Sequence, residues 1–179
     1  MDDTPLRTDL LAAFRWIDGH ADVWRFFSDG ALFARTTAAL ADAYRHARVT
    51  KVAGIEARGF ILGAAVAREL DAGFVAIRKD AGLLPGEKIV RVAAADYRGR
   101  EHKLRMQKDS ARPGDRVVLV DDWVETGSQV LAAREMIEMC GGELVGVSVI
   151  VDQLPEFEPR SKFGDFHALI PAPEYLGRD

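Results

Sequence analysis

Residues 117–129 read VVLVDDWVETGSQ. An apolar run, Val117 to Val120, leads straight into two adjacent carboxylates, Asp121 and Asp122. Thr126-Gly127-Ser128 make a small-residue turn, after which Val130, Ala133, Ile137 and Cys140 keep helical spacing. The apolar run, extended upstream to Arg116, suits a strand buried on both faces. In open α/β sheets, ligands sit beyond the carboxyl ends of the strands, and the acid pair stands at such an end. The helix N-terminus that follows offers free backbone N–H groups and a dipole that favours an anion. Carboxylates accept hydrogen bonds from hydroxyls, whereas loop amides donate to phosphate. One ligand that needs both is a phosphorylated sugar. The stretch is not a Walker loop, because Gly-Lys-Ser/Thr is missing, nor is it a G-x-G-x-x-G fingerprint. The competing reading is two strand-end caps followed by an ordinary turn.

Working outward, strands alternate with helices. Residues 31–47 place Leu32, Leu40 and Tyr44 on one helical face. TKVAGI at 50–55 reads as a strand, EARG at 56–59 as a loop, FILGAAVAREL at 60–70 as a helix and GFVAI at 73–77 as a strand. Residues 78–88 hold Gly82, Pro85 and Gly86 among charges and read as a mobile loop. Residues 89–109 suggest two edge-like strands around DYRGRE. Gly141 and Gly142 stop the helix after the opening stretch, ELVGVSVIV at 143–151 is a further buried strand, and FHALI at 166–170 is a candidate last strand. This alternation predicts an α/β fold with a parallel sheet flanked by helices.

The chain has 179 residues, of which 48% are apolar and 29% charged, which suits one soluble domain. A net charge of −4 leaves no footprint for nucleic acid. No apolar run approaches the roughly 20 residues of a membrane span. One cysteine, Cys140, excludes an internal disulfide framework and a Cys-based zinc site, and the start Met1-Asp2-Asp3 carries no apolar signal region. These features predict a cytoplasmic protein. The four histidines make no ligand spacing, and Cys140, Met106, Met136 and Met139 read as packing.

VVLVDDWVETGSQ resembles the 5-phosphoribosyl-1-pyrophosphate (PRPP) site of the type I phosphoribosyltransferases. GIEARGFILGAAVA at 54–67, FVAIRKDAGLLPGEK at 74–88 and MQKDSARPGDRVVLVDD at 106–122 are similar, in order, to segments of the adenine phosphoribosyltransferases. The resemblance covers about residues 20–150. It implies a Rossmann-like type I phosphoribosyltransferase sheet as a single domain. That domain divides into a small N-terminal hood at 1–30, a core at 31–155 and a tail at 156–179. It also implies PRPP and a purine-type base as substrates, Mg2+ as cofactor and a homodimer. Asp121 and Asp122 would hold the ribose hydroxyls, with Mg2+ carried by PRPP nearby. Thr126, Gly127 and Ser128 would cradle the 5′-phosphate, with Val124, Glu125 and Gln129 also in the PRPP-binding segment. Ala57, Arg58 and Lys79 would face the pyrophosphate, with Arg78 beside Lys79 at the mouth of the loop. Arginine's forked donors suit diphosphate oxygens.

The sequence departs from the adenine pattern where base chemistry is decided. Glu125 stands where alanine is usual, in the slot where 6-oxopurine phosphoribosyltransferases carry an aspartate near the purine. A carboxylate there can share a proton with the base and stabilise an oxocarbenium-like C1′. Asp96-Tyr97 matches a Glu-Tyr pair of the adenine enzymes, so Glu125, Arg58 and Asp96 are the candidate catalytic residues. DVWRFFSD at 22–29 is similar to the base-binding hood, with Val23, Arg25 and Phe26 as base contacts; Trp24, Phe26 and Trp123 depart from the pattern. The lysine with which the 6-oxopurine family reads O6 has no counterpart, because the nearest candidates, Arg160 and Lys162, lack its strand context. Two alternatives stay open: a PRPP-binding regulator without base chemistry, and a phosphoribosyltransferase for a non-purine heterocycle.

Overall fold

The apolar run of the opening stretch becomes the middle of a seven-stranded sheet. The computed structural model describes residues 4–18, 20–79, 84–94, 102–156 and 158–171. The chain opens with α1 (Thr4–Ala13), a hairpin of β1 (Arg15–Ile17) and β2 (His20–Asp22), α2 (Trp24–Ser28) and α3 (Gly30–Asp42). The core continues with β3 (Lys51–Ile55), α4 (Arg58–Glu69), β4 (Gly73–Lys79), β5 (Lys88–Ala93) and β6 (His102–Gln107). It closes with β7 (Arg116–Val124), α5 (Ser128–Met139), β8 (Glu143–Asp152) and β9 (Asp165–Ile170).

The sheet order is β5-β6-β4-β3-β7-β8-β9. The five strands from β4 to β9 in that order are all parallel. The parallel sheet therefore stands, with an antiparallel extension: β6 pairs with β4 and β5 pairs with β6. Of the two strands expected at 89–109, only β5 is an edge, because β6 has a neighbour on each side.

Period-two alternation decides what each strand buries. Val117 and Leu119 of β7 pack with Ala53, Ile55, Val75 and Ile77 against α5 residues Val130, Ala133, Met136 and Ile137. Val118 and Val120 face the other way, with Val52 and Ile150, against Leu10, Phe26, Leu40, Leu62 and Val66 of α1 to α4. Two apolar layers thus clamp the sheet. Asp29 caps α3 by accepting from the N–H groups of Ala31 (3.0 Å) and Leu32 (2.9 Å). The helix expected through residue 47 ends at Asp42, and residues 43–48 form turns. That lets the buried Tyr44 set its hydroxyl 2.8 Å from Val147 O and 2.7 Å from Asp165 O, tying the turn to β8 and β9. Met139 was expected in the core and is instead half exposed, at the last turn of α5.

Candidate active site

The site exists because two neighbours of β7 end at different heights. β3 pairs with β7 only as far as Gly54↔Val120, while β8 pairs with it as far as Val124↔Asp152. Residues 121–124 therefore keep one strand partner. Their other edge opens on a cavity of about 410 Å³. This corrects the reading of Asp121 and Asp122 as the last residues of the strand. β8 continues to offer backbone partners, so Trp123 and Val124 remain in β7 and Glu125 is the first residue past it.

Asp122 is buried and Asp121 half-buried; both line the cavity. The Asp122 N–H donates to Asp121 Oδ1 at 2.9 Å. Arg58 Nε lies 3.1 Å from Asp122 Oδ2, a charge pair without hydrogen-bond alignment, and that oxygen has no other hydrogen-bond donor. Burial holds the Asp121 carboxyl well above its ordinary range, and the charge of Asp122 pushes the same way. Gly59 of α4 is what permits the close approach: a Cβ there would stand 3.1 Å from both Asp121 Oδ1 and Val120 O.

Glu56, Ala57 and Arg58 form the turn between β3 and α4 and line the cavity; the Glu56–Ala57 peptide is cis. No side chain caps α4, and the Phe60 N–H turns back to Ala57 O at 3.1 Å. Arg78 and Lys79 belong to β4 and not to the loop expected from residue 78, of which 80–83 lie outside the described residues. Arg78 donates to Glu56 through Nε (3.2 Å) and Nη2 (2.9 Å), and the Lys79 N–H donates to the same carboxylate at 3.0 Å. Hydrogen bonding to Arg78 draws the Glu56 carboxyl below its ordinary range. Arg78 therefore braces the Glu56 turn, while Lys79 lines the cavity.

Val124 at the end of β7, and Glu125, Thr126, Gly127 and Gln129 past it, line the same cavity. Gly127 adopts φ 72 at the start of α5, and any Cβ there would strike the ring of the buried Phe163. Gly127, the N-cap of α5, has no side chain to cap the helix, and the Ser128 N–H makes one long bond, 3.4 Å, to Thr126 Oγ1; a helix start of this kind favours an anion. Thr126 Oγ1 and Ser128 Oγ are hydrogen-bonded at 3.0 Å across the turn.

The hood behaves differently from expectation. Val23 and Phe26 are fully buried in the α1–α4 layer, and Arg25 is exposed and paired with Asp22 at 3.1 Å; none of the three lines the cavity. The reason is that α2 turns its apolar side inward, and the preceding hairpin faces the site instead. Trp16, His20 and Ala21 reach the cavity from β1 and β2. Trp16 and Trp123 sit edge to face, 6.3 Å between ring centroids, and Phe14 packs on Trp16 (5.4 Å) and Trp123 (6.0 Å). His102 of β6 and Gln153, just after β8, also line the cavity, and the Trp123 Nε1–H donates to Gln153 Oε1 at 2.8 Å. Sequence reasoning named Trp123 but missed Trp16, Ala21 and Gln153 and set His20 and His102 aside, although the Asp-Gly dipeptide at 18–19 is a hairpin signal in the sequence that could have pointed to β1 and β2.

Arg160 is occupied elsewhere. It grips Asp152 from Nε (3.0 Å) and Nη2 (3.1 Å) and donates to the carbonyls of Leu154, Pro155 and Glu158. Lys162 is exposed and pairs with Glu158 at 2.7 Å. Neither lines the cavity. Asp96 and Tyr97 lie outside the described residues. Among the described residues no three metal-ligating side chains cluster, and no helix is long and apolar enough to cross a membrane.

The model of the phosphoribosyl transferase domain matches residues 27–165. The adenine phosphoribosyltransferase of Sinorhizobium medicae is 38% identical over 166 residues, covering 89% of this chain and 90% of that protein. That of Methylorubrum extorquens is 40% identical over 149 residues, covering 83% and 80%. Among solved structures, the adenine phosphoribosyltransferase of Thermoanaerobacter pseudethanolicus superposes with a TM-score of 0.83 at 28% identity, covering 92% of this chain and 99% of that one. The Giardia lamblia APRTase complexed with 9-deazaadenine gives 0.81 at 31%, covering 92% and 97%.

Proposed function

The chain belongs to the phosphoribosyl transferase domain family, among the relatives of the adenine phosphoribosyltransferases, and we propose from that premise how its residues carry the transfer. The reaction moves ribose 5-phosphate from PRPP to a purine-type base, giving a nucleoside 5′-monophosphate and pyrophosphate. The observation that carries the reading is one cavity bordered by the Asp121-Asp122 edge, Arg58 at the start of α4 and the N-terminus of α5.

In this reading Asp121 and Asp122 accept hydrogen bonds from the ribose hydroxyls. The first turn of α5, with Thr126 and Ser128, binds the 5′-phosphate. Arg58, Lys79 and the Ala57 backbone bind the pyrophosphate. A base nitrogen attacks C1′ as the bond from C1′ to the pyrophosphate oxygen breaks, and its electron pair leaves with pyrophosphate. Glu125 takes up the proton that the base nitrogen sheds. Trp16 and Trp123 cover a flat heterocycle and exclude water.

Mg2+ fits this site as an ion carried in by PRPP. Two adjacent carboxylates of the cavity lining, Asp121 and Asp122, are available to it, and Asp122 has a buried oxygen lacking a hydrogen bond. Mg2+ keeps most of its waters and takes one or two carboxylates plus phosphate oxygens. When bound it supplies positive charge to the departing pyrophosphate. The protein works as a cytoplasmic homodimer in this reading, and light scattering at working concentration would return twice the chain mass.

The test is to incubate the protein with PRPP, Mg2+ and adenine, hypoxanthine or guanine. Nucleotide and pyrophosphate should form in equal amounts with one or more bases. Absence of both products with every base, from folded protein, overturns the reading.

A further inference from the structure

Gln153 was not singled out in the sequence, yet it lines the cavity beside the aromatic wall. Its position is firmly held. Its backbone N–H donates to Val124 O at 2.8 Å, which locks it against the end of β7. The next residue is held as well: the Leu154 N–H donates to Asp152 Oδ1 at 2.8 Å, and Arg160 clamps Asp152 together with three carbonyls of the following turn. The side chain has one partner, the Trp123 indole, at 2.8 Å. An indole N–H only donates, so the amide must present its oxygen to Trp123. The remaining polar group of Gln153 is its Nε2 amino group. No described residue accepts from that nitrogen, and it is not among the buried atoms lacking a partner, so it retains accessible surface.

We propose that Gln153 is a specificity-determining residue, which donates from Nε2 to a hydrogen-bond acceptor on the base, and that Trp123 sets this polarity by occupying the amide oxygen. The inference rests on the phosphoribosyltransferase reading. The acceptor is a carbonyl oxygen or an unprotonated ring nitrogen. A base that turned an amino group to this edge would set donor against donor and leave both without a partner. Rejection of that kind costs more than the loss of an apolar contact. Trp123 therefore acts twice, by its ring as a wall and by its N–H as the orienter of Gln153.

The experiment compares kcat/KM for adenine, hypoxanthine and guanine, with PRPP and Mg2+, in the wild type, Gln153→Glu and Trp123→Phe. Gln153→Glu still accepts from the indole but turns a second acceptor to the base. It should raise the KM of the preferred base at least ~10-fold, the loss of about one hydrogen bond. PRPP affinity measured by calorimetry should stay unchanged, and the ranking of bases should shift toward those that present a donor. Trp123→Phe keeps a ring but frees the amide to turn over, so discrimination among the three bases should narrow. Thermal melts confirm that each variant is folded. An unchanged ranking in both variants, with the wild type active, overturns the inference alone. An inactive wild type overturns the underlying reading instead.

Discussion

Arg58 Nε stands 3.1 Å from Asp122 Oδ2, with the arginine side chain 36% exposed and the aspartate 5%. The cation proposed for pyrophosphate and an acid proposed for ribose thus neutralise each other at the edge of one cavity. In the proposed reading, PRPP would exchange this pair for contacts of both partners with the ligand, so that neither charge would be left alone.

Asp122→Asn tests that exchange. It removes the charge that Arg58 faces and weakens the acceptor for a ribose hydroxyl. PRPP affinity should fall by about 1–3 kcal/mol, the scale of charge-assisted hydrogen bonds. Calorimetry with Mg2+ present reads it directly, and wild-type affinity in the variant would remove Asp122 from the site.

Asp121 makes a pH-dependent prediction. Its folded carboxyl is held above the ordinary value of 3.8, first by burial and then by the charge of Asp122. The folded state therefore binds this proton more tightly than the unfolded chain does. The stability that the protonated group contributes is complete below that ordinary value and is lost as pH rises through the raised one. Asp121→Asn keeps an oxygen for the Asp122 N–H and removes the charge. Without PRPP, the variant should melt above the wild type at neutral pH, and the gap should close toward pH 4. A gap of the opposite sign, or one independent of pH, counts against it.

Glu125→Ala separates chemistry from binding. If Glu125 takes the proton of the base nitrogen, kcat should drop by ~10²-fold or more while PRPP affinity is held or slightly improved. Glu125→Gln should fall nearly as far, because an amide cannot exchange the proton. Normal turnover in Glu125→Ala would move the role to Asp96.

Gly127→Ala probes the phosphate turn through the fold. The alanine must adopt φ 72 and push its Cβ against Phe163. Left-handed strain and overpacking together should destabilise the protein by about 2–4 kcal/mol, measured by denaturant unfolding. A variant of wild-type stability would mean that Phe163 and the turn yield freely.

Much of the molecule was legible in the sequence, for a physical reason. Buried strands need unbroken apolar runs, helices need their own spacing, and left-handed turns need glycine, so Val117–Val120, the helix from Ser128 and Gly127 announced themselves locally. The acid pair and the turn behind it carried enough chemistry to indicate a phosphorylated sugar. Tertiary structure alone decided which groups meet. Alternation says that Val23 and Phe26 are apolar, but the same pattern serves a base-binding hood or a core, and packing under α1 to α4 chose the core. Arg78 reads as a loop cation until its partner, Glu56, is found 22 residues away. The opening of the cavity comes from unequal pairing along β7, where β3 stops at Val120 and β8 continues to Val124. Gln153 enters the site because that longer pairing carries it beside Trp123. Local sequence encodes the face a residue turns and the turn it favours. Register between distant strands sets the partner, and here the partners made the site.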